Sequence, residues 1–207
     1  QAAHERGLVL PAVTELEAIP GFGIQARIDG RLVAIGAGRL MDRLGVVCTA
    51  AAEPAARLAE AGKSPVYLAV DGTLLAVLAV ADPIKPSSPA AVARLRALGL
   101  EVTMLTGDGR RTAEAVARVA GIAQINAELL PADKSVAIQH MQAQGRRVAF
   151  VGDGINDAPA LACADVGIAI GTGTEIAVEA GEVILMTGDL MGVADAIALA
   201  RRTLRTI

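Results

Sequence analysis

Aromatic side chains are almost missing from this chain. Its 207 residues hold no Trp, one Tyr (Tyr67) and two Phe (Phe22 and Phe150), although 53% of them are hydrophobic. Ala, Val, Leu and Ile must therefore fill the core, a mixture that suits a Val/Ile-rich sheet covered by Ala/Leu helices. Cysteine is equally sparse. Cys48 and Cys163 stand alone in apolar surroundings, with no Cys-x-x-Cys and no His/Cys cluster. That argues against a disulfide framework or a soft-metal site and for two small buried hydrophobes in a reducing compartment. There is no basic run and the net charge is −3, so a nucleic-acid partner is not expected. No stretch reaches the ~18 uncharged apolar residues of a membrane span. An initiator Met and a signal peptide are also lacking. Gln1 reads as the tail of one helix and Ile207 as the interior of another, so an excised piece of a longer protein is expected.

What is present is concentrated in residues 152–161, Gly-Asp-Gly-Ile-Asn-Asp-Ala-Pro-Ala-Leu. The run Arg147–Val151 before it reads as a buried parallel strand. Oxygen ligands at the carboxyl end of such a strand are where an α/β sheet holds a hard cation and a phosphate. Asp153 comes first after the strand and is the expected Mg²⁺ ligand, with Asn156 and Asp157 placed to orient waters or phosphate oxygens and Gly152 and Gly154 making the turn tight. An N-cap and turn built by Asp and Asn is the plain alternative. It explains one of the three polar residues, not their spacing.

The chain divides by pattern. Residues 16–36 read as short strands, with Asp29-Gly30 between Ile24–Ile28 and Arg31–Ile35 as a hairpin signal. Short helices are expected over 38–44 and 50–61. Two further strands, 65–70 and 74–80, flank a second Asp-Gly pair. Asp82-Pro83-Ile84-Lys85-Pro86-Ser87-Ser88-Pro89 then interrupts, because prolines so closely spaced cannot continue a strand. It predicts a stiff connector, a domain boundary between 1–80 and 81–207, and a helix with Ser88 as N-cap and Pro89 at its first position. Beyond it, strands at 100–105, 122–126, 147–151, 166–170 and 182–186 alternate with helices at 89–98, 111–120, 132–144, 157–163, 174–180 and from about 190. That alternation predicts βαβ units and a parallel sheet.

Other motifs are weaker alone. Thr106-Gly107-Asp108 lies between a strand and a helix, where a hydroxyl and free N–H groups can hold phosphate; a simple N-cap by Asp108 is the competing reading. Lys134 sits in the first turn of a helix, where the dipole disfavours a cation, so it either points at a phosphate or is a solvated surface Lys. Gly21-Phe22-Gly23, Gly30 and Gly36 could let backbone approach a flat ligand such as adenine, or could be turns and bulges. Gly171–Thr174 lacks the Walker lysine and reads as a turn with an N-cap. His4 and His140 read as surface residues.

Taken in order, Asp82-Pro83-Ile84-Lys85, Thr106-Gly107-Asp108, Pro131-Ala132-Asp133-Lys134 and the 152–161 segment resemble the cytoplasmic ATP-binding half of a P-type ATPase. The resemblance covers essentially the whole chain. It is strongest to the heavy-metal branch, and Ala169–Ala177 and Leu185–Leu190 are most similar to copper exporters, with zinc/cadmium exporters close behind. It implies a haloacid-dehalogenase-like Rossmann phosphorylation domain over 81–207 and a small α+β nucleotide-binding domain with an antiparallel sheet over 1–80. It also implies ATP between the two domains with adenine against Gly21, Gly23, Gly30 and Gly36. Thr106, Gly107 and Asp108 would contact phosphate or nucleotide, and Lys134 would neutralise the transferring phosphoryl group. Asp153 and Asp157 would hold Mg²⁺, with Asn156, Gly152, Gly154 and Asp82 in support. The whole would be a cytoplasmic portion of an integral membrane protein, in a bacterial inner membrane. Its partners would be ATP and the parent's membrane helices and actuator domain, and it would not itself bind the exported metal.

Three departures qualify this. The Asp-Lys-Thr-Gly-Thr motif, whose Asp takes the γ-phosphate, does not occur in the chain, so the nucleophile and the central strand that carries it are expected to be missing and the parallel sheet to show an open edge or gap. The His-Pro dipeptide of heavy-metal members is absent, since His4 precedes Glu5, and weak nucleotide binding is expected. Gly109 replaces the usual Asn after Thr-Gly-Asp. Two other classes compete: a free-standing dehalogenase-like phosphatase and a non-catalytic nucleotide-binding module. No Asp-x-Asp pair precedes residue 82 to serve the first.

Overall fold

The computed structural model describes residues 5–152, 157–170 and 182–206. Residues 1–81 and 82–207 form two compact units.

The first unit is a five-stranded antiparallel meander of β1 (Val13–Ile19), β2 (Gly23–Ile28), β3 (Arg31–Gly36), β4 (Ser64–Val70) and β5 (Thr73–Val80), in which sequence neighbours are sheet neighbours. Both Asp-Gly pairs close two-residue hairpins. Asp29, Gly30, Asp71 and Gly72 take φ of 50°, 77°, 48° and 78°, the all-positive pattern of a type I′ turn that matches strand twist. Asp71 also ties the second turn to β3. Its carboxylate accepts from Arg31 Nε at 2.8 Å and from the Leu32 N–H at 2.9 Å, and these donors hold its carboxyl below the ordinary range. α1 (Gly38–Arg43) and α2 (Ala52–Glu60), the latter entered through a 3₁₀ turn at Thr49–Ala51, follow β3. Leu40 and Met41 of α1 are fully buried against Ala34, Ala69 and Val46, with Phe22 and Tyr67 at the margin. β1 starts earlier than the expected Leu16, with a bulge where Glu15 takes a φ of 50°.

The second unit alternates α3 (Ser88–Ala97), β6 (Thr103–Leu105), α4 (Arg110–Ala120), β7 (Gln124–Asn126), α5 (Pro131–Ala143), β8 (Ala149–Gly152), α6 (Ala158–Cys163), β9 (Val166–Ile170), β10 (Val183–Leu185) and α7 (Met191–Leu204). All its strand pairings among the described residues are parallel. The parallel sheet shows the gap expected for it: among the described residues it is two sheets, β6–β7 and β8–β9–β10, with no described strand bridging β6 to β8. The two still share a core: Leu105 at the end of β6 packs against Ile138 of α5, Phe150 of β8 and Leu161 of α6.

Two local expectations are corrected. Strand 100–105 shrinks to Thr103–Leu105, because Gly99 (φ 77°) lets the Leu100 N–H close back on the Leu95 carbonyl at 3.2 Å, and Leu100 and Val102 pack beside Leu95, Ile168 and Val193 instead. Ser88 is not the N-cap of α3 but its first residue. Ser87 precedes the helix, and its hydroxyl donates to Asp189 at 2.9 Å rather than capping. The predicted helix over 174–180 lies outside the described residues.

Candidate phosphate and cation site

Lys134 lies in the first turn of α5, and its ammonium meets Asp157 Oδ1 at 2.5 Å. Both side chains are largely withdrawn from water, 17% and 13% exposed. A charge pair so placed is held by geometry as well as attraction, since removing either partner would strand the other. This disposes of the solvated-surface reading of Lys134. Asp157 stands at the start of α6, just past the carboxyl end of β8, and Gly152 ends that strand. A Cβ on Gly152 would meet Asp157 Oδ2 at 2.7 Å and Asp157 Cβ at 2.9 Å. The bare glycine is what lets the carboxylate lie over the strand end.

The loop after β6 is held from two sides. The Thr106 hydroxyl donates to Asp108 Oδ2 at 2.9 Å and accepts the Asp108 N–H at 3.1 Å. From the loop after β7, the Leu129 N–H donates to the Thr106 carbonyl at 3.0 Å and the Glu128 N–H to the Asp108 carbonyl at 2.9 Å. Gly109 occupies the N-cap position of α4, so Asp108 is not the cap; its carboxylate is turned to Thr106. The clamp by Glu128, whose φ is 64°, escaped sequence reasoning, because a left-handed Glu leaves no signature in the sequence. Asp133, also unpredicted, accepts the Leu130 N–H at 2.8 Å and so secures the turn that presents Lys134. An acidic residue at the third helical position after Pro131 is a capping signal that could have found it.

Thr106, Lys134 and Asp157 each come after a parallel strand in the chain (β6, β7 and β8), and Leu105, Ile138, Phe150 and Leu161 put β6, α5, β8 and α6 in one core. Asp153, Gly154 and Asn156 lie outside the described residues. Asp82 is exposed in the connector. Among the described residues no three His, Cys, Asp or Glu side chains cluster as metal ligands. For a hard cation the donor chemistry that is visible is carboxylate oxygen from Asp157, whose Oδ1 is paired with Lys134.

In the first unit, Gly23 and Gly36 face each other across β2 and β3. A Cβ on Gly23 would fall 2.2 Å from the Ile35 carbonyl, and one on Gly36 2.2 Å from the Phe22 carbonyl. These glycines allow the two backbones to close on each other. Gly21 lies in the adjoining turn, with a φ of 78°. Gly30 is not brought to them: it sits at the opposite end of the β2–β3 hairpin, roughly 17 Å along the strands at the usual rise per residue. Beside the glycine pair, the guanidinium groups of Arg39 and Arg43 lie 5.6 Å and 5.7 Å from the Phe22 ring centroid, a cation–π arrangement that the sequence did not reveal.

A profile of haloacid dehalogenase-like hydrolases matches residues 3–165. Over its full length, 206 aligned residues, the chain is 52% identical to Copper-transporting ATPase 1 of Rhizobium meliloti (strain 1021), of which it covers 25%. The crystal structure of a zinc-transporting PIB-type ATPase in its E2.Pi state matches with a TM-score of 0.61 and 35% identity, over 99% of this chain and 33% of that one. The catalytic domain of the CPx-ATPase CopB-B matches with a TM-score of 0.71 over 95% of this chain and 69% of that one; at 22% identity this speaks for the fold alone. The chain thus spans about a quarter of the length of the curated relatives it matches.

Proposed function

The chain belongs to the haloacid dehalogenase-like hydrolase family, and we propose that it is the ATP-binding and phosphate-handling region of a P-type ATPase that exports a heavy-metal cation, Cu⁺ in the first place. The observation that carries this reading is the shielded Lys134–Asp157 pair at the end of β8, presented over Gly152. The full-length 52% identity to a copper-transporting ATPase supports it. Among the described residues no helix is long and apolar enough to cross a membrane. The membrane helices, the actuator domain and the metal path would belong to the remainder of the parent protein, with this region on the cytoplasmic side.

In this reading Gly21, Gly23 and Gly36 lie against the adenine of ATP. Thr106, Gly107 and Asp108 contact phosphate, held in place by the Glu128–Leu129 clamp. Lys134 directs its ammonium to the transferring phosphoryl group, whose developing negative charge a positioned cation stabilises. Asp153 and Asp157 hold Mg²⁺, with Asn156 completing their polar shell. Bound there, Mg²⁺ supplies neutralising charge to the phosphate oxygens. Asp157 keeps Lys134 from swinging out while no phosphate is present.

The acceptor Asp of an Asp-Lys-Thr-Gly-Thr motif does not occur in these residues. Incubated with radiolabelled ATP and Mg²⁺, the chain alone is therefore expected to retain no acid-stable label. Label retained on the chain, or steady turnover of p-nitrophenyl phosphate, would point instead to a self-sufficient phosphatase.

A further inference from the structure

Two of the chain's three aromatic residues, Phe22 and Tyr67, lie at the margin of the core beneath α1, and the ring of Phe22 carries two cations. The guanidinium groups of Arg39 and Arg43 stand 5.6 Å and 5.7 Å from its centroid. Both arginines come from α1. The Ala37 N–H donates to the Phe22 carbonyl at 2.9 Å, which docks the start of that helix on the turn Gly21-Phe22-Gly23. The cations are thus set beside the place where Gly23 and Gly36 close on each other.

Local structure does not call for this pair. Arg43 ends α1, where a cation complements the dipole, but Arg39 stands in the first turn, where a cation is disfavoured. Four residues apart on a helix, the two also repel each other. Among the described residues Arg43 forms no ion pair, whereas Arg27, Arg31 and Arg57 of the same unit each meet a carboxylate at 2.9 Å or less. A cation–π contact engages the face of a guanidinium and leaves its in-plane N–H fork to donate. That fork matches the oxygens of a phosphate.

We propose that Arg39 and Arg43 bind phosphate oxygens of the nucleotide, so that the first unit grips the ligand by its phosphate chain as well as by its base. This rests on the reading above, in which Gly21, Gly23 and Gly36 lie against adenine, and it adds to that reading, because the phosphate contacts named there all belong to the second unit. Phe22 is the positioning residue. Its ring holds both guanidinium groups beside the glycine closure, where two like charges would otherwise spread apart.

The test is titration of the 207-residue chain, without Mg²⁺, with ATP, adenosine and inorganic tripolyphosphate, following the amides of residues 21–43 and the arginine Nε–Hε groups. ATP is expected to bind this region about tenfold more tightly than adenosine, the scale of a charge-assisted hydrogen bond at a partly exposed group. The advantage should shrink as salt rises. Arg43→Gln should remove most of it and leave adenosine binding unchanged, and Arg43→Lys should restore part of it. Arg57→Gln, which deletes an exposed charge on α2, should leave it intact. Equal binding of ATP and adenosine, an ATP advantage that survives Arg43→Gln, or one that ignores salt would each overturn the proposal. The three probes also separate the two readings. Adenosine binding at residues 21–36 with no preference for ATP refutes the arginine contacts alone. Tripolyphosphate that shifts the Arg39 and Arg43 signals while adenosine shifts nothing upholds them and counts against the adenine site. Silence to all three probes refutes both.

Discussion

A methyl group added at Gly152 would collide with the Asp157 carboxylate, whereas one added at Gly109, whose φ is −60°, would meet nothing within 4 Å. The pair makes a controlled comparison. Gly152→Ala must shift either the end of β8 or Asp157, and overpacking of this kind costs about 1–3 kcal/mol. Gly109→Ala should stay within about 0.5 kcal/mol of the parent. Chemical denaturation monitored on the 82–207 unit checks both, and equal midpoints for the two variants would show that Asp157 is not held where the structure puts it. At this scale the sequence was partly legible. Lys134 stood out because a cation in a first helical turn needs a reason, and Asp157 because of its spacing. The steric role of Gly152 did not stand out, because it depends on where a side chain five residues later folds back. The closure of Gly23 on Gly36 is hidden for the same reason: their pairing follows from the register of the hairpin, not from either residue's own neighbourhood.

At the scale of elements, three carboxylates act as fasteners. Asp71 joins two hairpins. Asp165, before β9, accepts the Val148 N–H at 2.9 Å, Gln142 Nε2 at 3.1 Å and Arg147 Nη1 at 3.0 Å, which ties the entry of β8 to α5. Asp189 accepts the Met191 N–H and the Ser87 hydroxyl, both at 2.9 Å, and so fastens the start of α3 to the start of α7. The hydrogen bonds, led by Arg31 for Asp71, by the Val148 N–H for Asp165 and by the Met191 N–H for Asp189, hold all three carboxyls below the ordinary range. In the unfolded chain these groups take up protons near pH 4, while the folded chain resists until lower pH. Between the two values the unfolded state binds more protons, so stability rises with pH there. Thermal unfolding is therefore expected at a constant temperature from about pH 7 to pH 5 and at falling temperatures below about pH 4. Asp165→Asn should flatten part of that fall, and an unaltered acid profile in this variant would contradict its role. The hairpins were legible because an Asp-Gly pair dictates its own turn. Strand 100–105 is shorter than its pattern suggests because Leu100 and Val102 are apolar for packing beside Leu95 of α3, and alternation alone does not separate that use from strand pairing.

For the whole molecule, the alternation of helix and strand after the connector announced a parallel α/β unit and the meander before it an antiparallel one. That the parallel strands form two sheets over one core was legible too, as the gap expected from the missing Asp-Lys-Thr-Gly-Thr segment and its strand. The chain contains no Asp-Lys-Thr-Gly-Thr acceptor, so the proposed function is a divided one: Mg²⁺ and ATP would bind to this chain, with Lys134 and Asp157 in the phosphate site, and the phosphoryl acceptor would come from outside it. Titrating the chain with Mg²⁺ and ATP while following its backbone amide chemical shifts tests this most directly. Weak binding is expected, with shifts at residues 21–36, at Thr106–Asp108, and at Lys134 and Asp157. Tight binding with shifts confined to other residues, or no change at any of these positions up to saturating nucleotide, would contradict it.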